Sequence, residues 1–373
     1  MLNNYQQKQN VVQEAIFEAA KTLERIKADQ SEAIDIFKII QNEGVWLMFQ
    51  PMKNLYGFYL KQGETAGIQI NSQHPTKLQR YTAAHEFGHH VLRHLNSVDD
   101  EALIARGYAS KDLKEVAADA FAAHFLMPPT LVSVLLQKLG LLRISRSLTA
   151  KELYRMSLEM GVNYSAAVNH LANLKHISRE EADLLRKMSP KEIKEQIVFQ
   201  PLENSRAEIW ELDKSDHGKT LHLRIHDDLK ICLPENPTTG YLWAFEDSPV
   251  QAASHLQTQE NNLELTPIAI GRHEATFPFV LIDNNFEIPA SSSSEQICGK
   301  GGKRNFTVRT SEPGSYTLRV LEKRPWEENS EAADEFTLSL HVSLRPSGLS
   351  SKGLANAQKR LLSSTALQTW EAV

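Results

Sequence analysis

The stretch Thr82-Ala83-Ala84-His85-Glu86-Phe87-Gly88-His89-His90 decides how the first half of the chain is read. Within it stands His85-Glu86-x-x-His89. On a helix, residues four apart lie on one face, one turn above the other, so both imidazoles reach the same ion. Neutral imidazole nitrogen is a favoured zinc donor, and a catalytic zinc takes three protein ligands and keeps one position open for water. Two histidines therefore demand a third ligand from another element. Glu86 projects beside the pair, placed to take a proton from a metal-bound water.

Working outward, the spacing predicts a helix over residues 76–95, an acidic loop at Asp99-Asp100-Glu101, and a second helix over 111–127 that Pro128-Pro129 stops. In that second helix, Glu115-Val116-Ala117-Ala118-Asp119 sets two carboxylates four residues apart in an alanine-rich, core-like segment. Carboxylates are seldom placed on a buried face without a partner. Glu115 is accordingly the expected third ligand, and Asp119 the expected acceptor for the N–H of a ligand imidazole. His90 and His94 form a rival i, i+4 pair, but on a helix they point about a hundred degrees away and no glutamate stands between them. They are read as surface or packing histidines. The longer metzincin pattern needs glycine at 92 and histidine at 95; the chain has Leu92 and Leu95.

Before the motif, Val12, Ile16, Ala19, Leu23 and Ile26 repeat at helical spacing, as do Ile34, Phe37 and Ile40. Val45 to Phe49, Leu55 to Leu60 and Ile68 to Ile70 read as a small sheet, with a hairpin turn at Lys61-Gln62-Gly63-Glu64. Set on this frame, Arg80-Tyr81-Thr82-Ala83-Ala84-His85-Glu86-Phe87-Gly88-His89 and the segment Glu115 to Pro128 together resemble the ImmA/IrrE-type metallopeptidases, over about residues 30–180. The resemblance implies a zincin-like metalloendopeptidase that cleaves a helix-turn-helix repressor or a similar regulatory protein. His85, His89 and Glu115 would hold Zn2+, and Glu86 would be the catalytic base. Tyr108, His124 and Tyr154 are all conceivable oxyanion-stabilising groups, and no spacing argument separates them.

Three hydroxyl-to-glutamate pairs follow at N-cap spacing: Thr149 with Glu152, Ser178 with Glu181, and Ser189 with Glu192. Leu153 to Met160, Gly161-Val162-Asn163 and Tyr164 to Leu174 read as helix, tight turn, helix, an arrangement that can bind DNA and that the resemblance includes. The second helix is poor in the Arg and Lys that phosphate contacts require, so packing on the peptidase is the favoured reading and nucleic acid is not an expected partner.

From about Pro201 the period changes to two. Leu221 to Ile225, Phe306 to Arg309, Tyr316 to Val320 and Phe336 to Val342 alternate between Gly, Pro and Ser clusters, which suits an antiparallel sandwich. Its loops hold Asn236-Pro237-Thr238-Thr239-Gly240-Tyr241, Gly299-Lys300-Gly301-Gly302 and Arg324-Pro325-Trp326. Each alone reads as turn chemistry. In this order, with Leu233-Pro234-Glu235 before the first loop and Trp243 after it, they resemble the chagasin family of cysteine-protease inhibitors over about residues 205–345. That resemblance implies an immunoglobulin-like sandwich whose loops occlude the cleft of a papain-like protease. Thr238, Thr239 and Gly240 would enter the cleft centre, Gly299, Gly301 and Gly302 would permit close backbone approach, and Trp326 would be an apolar anchor. The segment Ile288-Pro289-Ala290-Ser291 to Ser294 resembles an insertion that lengthens the glycine loop.

Composition bounds the rest. Of 373 residues, 23% are charged and 41% hydrophobic, as in ordinary globular proteins, and a net charge of −5 gives no general pull toward nucleic acid or anionic lipid. No window approaches the roughly eighteen apolar residues of a membrane span, and Met1 to Asn10 is too polar for an export signal. With Cys232 and Cys298 too few for a disulfide framework, a cytoplasmic protein is expected. The fold class expected is multidomain α+β. It comprises a mainly helical zincin-like peptidase with a small sheet over 1–140, a helical, HTH-like subdomain over 141–200, an all-β immunoglobulin-like, chagasin-like sandwich over 201–345, and a linker and tail over 346–373. The expected function is zinc metalloendopeptidase activity joined to a domain that binds and inhibits, or senses, papain-like cysteine proteases. Alternative readings are a catalytically inactive sensor or inhibitor, and a DNA-binding regulator acting through residues 149–174.

Overall fold

The computed structural model describes residues 2–94, 97–100, 112–141, 146–198, 206–246, 279–288, 301–327 and 331–344, with Leu202 and Asn204. Expectations for Tyr108, Cys298, Gly299, the segment 289–294 and the tail 346–373 lie outside the described residues. The chain forms two compact units that divide between Ile193 and Lys194.

In the first unit, α1 (Leu2–Arg25) buries Ala15, Ala19 and Leu23 and packs along α4 (Leu113–Leu126). α2 (Ile36–Asn42) starts at Asp35, whose side chain accepts from the Lys38 N–H. A four-stranded sheet follows in the order β1-β3-β2-β4, from β1 (Trp46–Gln50), β2 (Leu55–Gln62), β3 (Thr65–Asn71) and β4 (Ser97–Asp100). The β2–β3 hairpin turns at Gly63-Glu64 as the sequence predicts, and β1 pairs with β3 in parallel. Asp99-Asp100 departs from the loop expected there. The chain at 97–100 satisfies the otherwise open backbone edge of β2, with Val98 opposite Phe58.

The motif helix, α3 (Thr76–Val91), lies between this sheet and α4, and it ends four residues earlier than the spacing suggests. Thr82 to His89 is buried without a break, so α3 has no solvent face along that run. α4 is likewise buried from Val116 to Ala123. Phe87, Phe121 and Phe125 are fully buried and interlock, with Phe87 5.7 Å from Phe125 and the other two rings 5.2 Å apart. Gly88 lets the helices come this close. A Cβ there would stand 3.0 Å from the Phe121 ring.

Beyond α5 (Pro129–Lys138) come α6 (Ala150–Met160), α7 (Tyr164–Asn173), α8 (Arg179–Lys187) and α9 (Pro190–Val198), of which α6, α8 and α9 start where the hydroxyl-to-glutamate pairs predict and α7 starts after Asn163. Thr149–Glu152 and Ser178–Glu181 are complete capping boxes, and Ser189 and Glu192 exchange the same two bonds. The α6–α7 turn faces inward. The buried guanidinium of Arg80, on α3, donates to the Gly161 carbonyl at 3.1 Å and to the Ile34 carbonyl at 2.7 Å.

The second unit is a sandwich of two four-stranded sheets. One is ordered β5-β7-β10-β9, from β5 (Ile209–Asp213), β7 (Asp228–Glu235), β9 (Phe279–Glu287) and β10 (Gly302–Thr310). The other is ordered β6-β12-β11-β8, from β6 (Thr220–Arg224), β8 (Leu242–Phe245), β11 (Gly314–Lys323) and β12 (Asp334–Ser343). Alternate residues face the core: Leu221 and Leu223, Leu229, Ile231 and Leu233, Phe306 and Val308, Leu318 and Val320, and Phe336, Leu338 and Leu340 are all at most 2% exposed. The pairing is mixed, where an antiparallel sandwich was the expectation. β5 runs parallel to β7 and β6 parallel to β12, because each enters its sheet as an edge strand beside a partner it does not join by a hairpin. Two buried lysines hold the chain that leads into this unit. Lys194 donates to the Ala207 carbonyl and Lys230 to the Ile197 carbonyl at the end of α9, both at 2.7 Å.

Candidate functional site

The buried α3–α4 contact brings the expected ligands together. His85 Nε2 lies 3.1 Å from His89 Nε2 and 3.2 Å from Glu115 Oε2, and His89 Nε2 is 3.5 Å from Glu115 Oε1. One donor atom from each residue falls within 4.8 Å of the others, a group that can hold a metal ion. Two nitrogens on a tetrahedral zinc, each about 2.0–2.1 Å from the ion, stand roughly 3.4 Å apart, so the donor set fits by type and by spacing. Burial alone would push the Glu115 carboxyl up. Hydrogen bonds and charge from His85 and His89 outweigh it and hold the group well below the usual carboxylate range.

Asp119 lies one turn along α4 from Glu115. Its Oδ1 is 3.0 Å from His85 Nδ1, and the Tyr81 hydroxyl donates to the same oxygen at 3.5 Å. A carboxylate there accepts the Nδ1 proton and leaves the Nε2 lone pair of His85 facing Glu115 and His89. Glu86 is fully buried beside the pair. Of the conceivable oxyanion groups, His124 Nδ1 lies 3.2 Å from the Ala120 carbonyl and its ring packs on His170, while Tyr154 is buried with the Lys77 ammonium over its ring.

His90 is a packing histidine, 3.1 Å from the Tyr59 hydroxyl and stacked on Phe87. His94 is not a surface residue of the motif helix. α3 has already ended, and His94 Nδ1 lies 2.9 Å from His89 Nδ1. Helical spacing hides this contact. Arg93, a residue type with no turn signature, takes φ 57 and folds His94 back over His89.

In the second unit, Asn236 Oδ1 accepts from the Thr238 hydroxyl at 2.7 Å, the Thr239 hydroxyl donates to the Asn236 carbonyl at 2.8 Å, and Pro237–Thr239 forms a single 3₁₀ turn. Gly240 closes this turn at φ 81, and a Cβ there would stand 2.7 Å from the Trp326 ring. The Arg324 guanidinium stacks on Tyr241 with 4.6 Å to the ring centroid, and Trp326, after Pro325, is 66% exposed. Glu235, directly before the first loop, is a further brace. It accepts from Arg304 at 2.6 Å and from the Trp243 N–H at 3.0 Å, and Gly302 pairs opposite it while Gly301 approaches its carbonyl. The first and third loops thus form one edge, held from behind by a buried ion pair.

The chain therefore combines a mainly helical unit bearing a metal-binding type of donor set with a two-sheet unit bearing a rigid loop edge. Two family models match it in just this order. Residues 40–162 match the IrrE N-terminal-like domain, and residues 222–340 match the chagasin family peptidase inhibitor I42. The protein thus joins a domain that matches the IrrE-like model to one that matches the chagasin-family model. Chagasin of Trypanosoma cruzi is 26% identical over 127 residues, which cover 34% of this chain and 92% of that protein. Among solved structures, a cysteine protease inhibitor from Entamoeba histolytica is 22% identical, with a TM-score of 0.27 over 37% of this chain and 98% of its own. Leishmania mexicana ICP is 21% identical, with a TM-score of 0.21 over 38% of this chain and 95% of its own.

Proposed function

We propose that the first unit is a zinc-dependent metalloendopeptidase and that the second binds and blocks, or senses, papain-like cysteine proteases. The peptidase reading rests on one observation: His85, His89 and Glu115 converge at a buried point beside the fully buried Glu86. Zinc held by those three residues would supply the Lewis acidity that polarises a peptide carbonyl and acidifies a water. Asp119 fixes the His85 ring, and Glu86 holds the proton taken from the attacking water and returns it to the departing amine. The substrate class that the IrrE-like match favours is a helix-turn-helix repressor or a similar regulatory protein.

The inhibitor reading rests on the matched family and on the pre-tied loop edge. Loops already ordered lose little entropy on docking, and an exposed tryptophan at their centre is a typical anchor. One variant tests both readings. Glu86→Gln is expected to keep a stoichiometric zinc while losing at least about a hundredfold in repressor cleavage, because it removes a general base and no ligand. It is also expected to inhibit papain as well as the parent chain does. Full cleavage by this variant would refute the peptidase mechanism, and absence of papain inhibition by either form would refute the second half.

A further inference from the structure

The His89 ring has two nitrogens, and each faces a different partner. Nε2 points to the centre shared with His85 and Glu115, while Nδ1 faces His94 Nδ1 at 2.9 Å. Two imidazole nitrogens at that distance share one proton, one donating and the other accepting. A metal at the centre needs the Nε2 lone pair, which leaves the proton on His89 Nδ1 and makes His94 the acceptor. The backbone enforces the same contact. The His94 N–H donates to the His89 carbonyl at 2.9 Å, and the two rings meet edge to face at 5.0 Å between centroids.

We propose that His94 is the positioning residue of this metal centre: its imidazole accepts the His89 Nδ1 proton, fixes that ring and presents the His89 Nε2 lone pair to the metal. His94 does for His89 what Asp119 does for His85, so one ligand is oriented by a carboxylate and the other by a neutral ring. The inference rests on the metal-centre reading given above and assigns a role to a residue outside the His85-Glu86-x-x-His89 pattern.

Two replacements separate orientation from packing. Asn places Oδ1 near the position of the His94 Nδ1 and still accepts; Phe keeps a ring of similar size and accepts nothing. A cavity of about 110 Å³ bordered by Val11, Glu14, Leu113, Lys114 and Ala117 adjoins His94 and gives the Phe ring room. In the full chain, zinc affinity measured by chelator competition is expected to fall about 10–100-fold in His94→Phe, the usual loss when a ligand histidine loses its partner. In His94→Asn it is expected to stay within a few-fold of the parent, with the melting temperature of the metal-free protein similar in all three.

Long-range 15N–1H correlation on the zinc-loaded parent protein provides the readout that packing alone does not move. It is expected to show the His89 proton on Nδ1, with a downfield shift that His94→Phe removes. Parent-like zinc affinity in His94→Phe, or a parent His89 without a proton on Nδ1, would overturn the proposal. If His94→Phe does not fold, the tautomer in the parent protein and the affinity of His94→Asn decide. A parent chain that takes up no zinc would instead overturn the metal-centre reading on which the proposal stands.

Discussion

His170 is as buried as His85 and His89, at 1% exposure, yet it serves a carbonyl. Its Nε2 donates to Met127 at 2.8 Å, which caps the end of α4. Burial, aided by the charges of His124 and His176, pushes its pKa down to about 4. Between pH 6.5 and 4 the unfolded chain therefore binds a proton that the folded chain refuses. The stability contributed by the neutral ring is full above pH 6.5 and is lost as the pH falls toward 4, by about 3 kcal/mol at the acid end. His170→Gln keeps a donor and removes the titration, so its urea-unfolding free energy is expected to fall less steeply over that window than the parent's. With His124 and His176 replaced by Gln in both proteins, because their charges act on His170, the difference in slope is left to His170; equal slopes would contradict the assignment. Burial likewise raises the Cys232 thiol, to about 11, which favours the protonated form near neutral pH.

At the scale of elements, the convergence of His85, His89 and Glu115 depends on how closely α3 approaches α4. Gly88→Val would set two further methyls against Phe121, where even a Cβ is at 3.0 Å. Overpacking of this kind costs about 1–3 kcal/mol, which outweighs the gain of under about 1 kcal/mol from replacing a mid-helix glycine. A lower denaturation midpoint and weaker zinc binding are the expected result, since parting the helices moves Glu115 from the two histidines; an unchanged affinity would show that the helices yield without moving the site. The four residues His85, His89, Glu115 and Asp119 were legible in the sequence because each lies inside a regular helix, where spacing is geometry. His94 was not, because its position depends on the reversed backbone of Arg93, and nothing in an arginine announces that conformation. The sandwich shows the same limit. Alternation revealed which residues of β6 and β12 face the core, but a two-residue period has no direction, so their parallel pairing left no trace.

The whole molecule contains two chemistries with separate cores. Ligands that bind one folded unit stabilise that unit by mass action. Calorimetry of the full chain is expected to show two transitions, of which chelation by EDTA lowers only one and an active-site-blocked papain raises only the other. A single transition that responds to both would mean that the units unfold together. The two loops of the edge were legible as short segments, and their brace was not, because Glu235 and Arg304 stand 69 residues apart and meet only through the β7–β10 register.

The lysines that hold the approach to the sandwich set a limit on its use as a transferable module. The family match begins at residue 222, whereas Lys230 reaches the Ile197 carbonyl and Lys194 reaches Ala207. A graft cut at the start of that match would take from Lys230 an acceptor it has inside the protein, and would remove the edge strand β5 that pairs with β7. A portable form of this unit therefore begins within α9, and the end of that helix belongs to the sandwich by chemistry even though its sequence reads as helix.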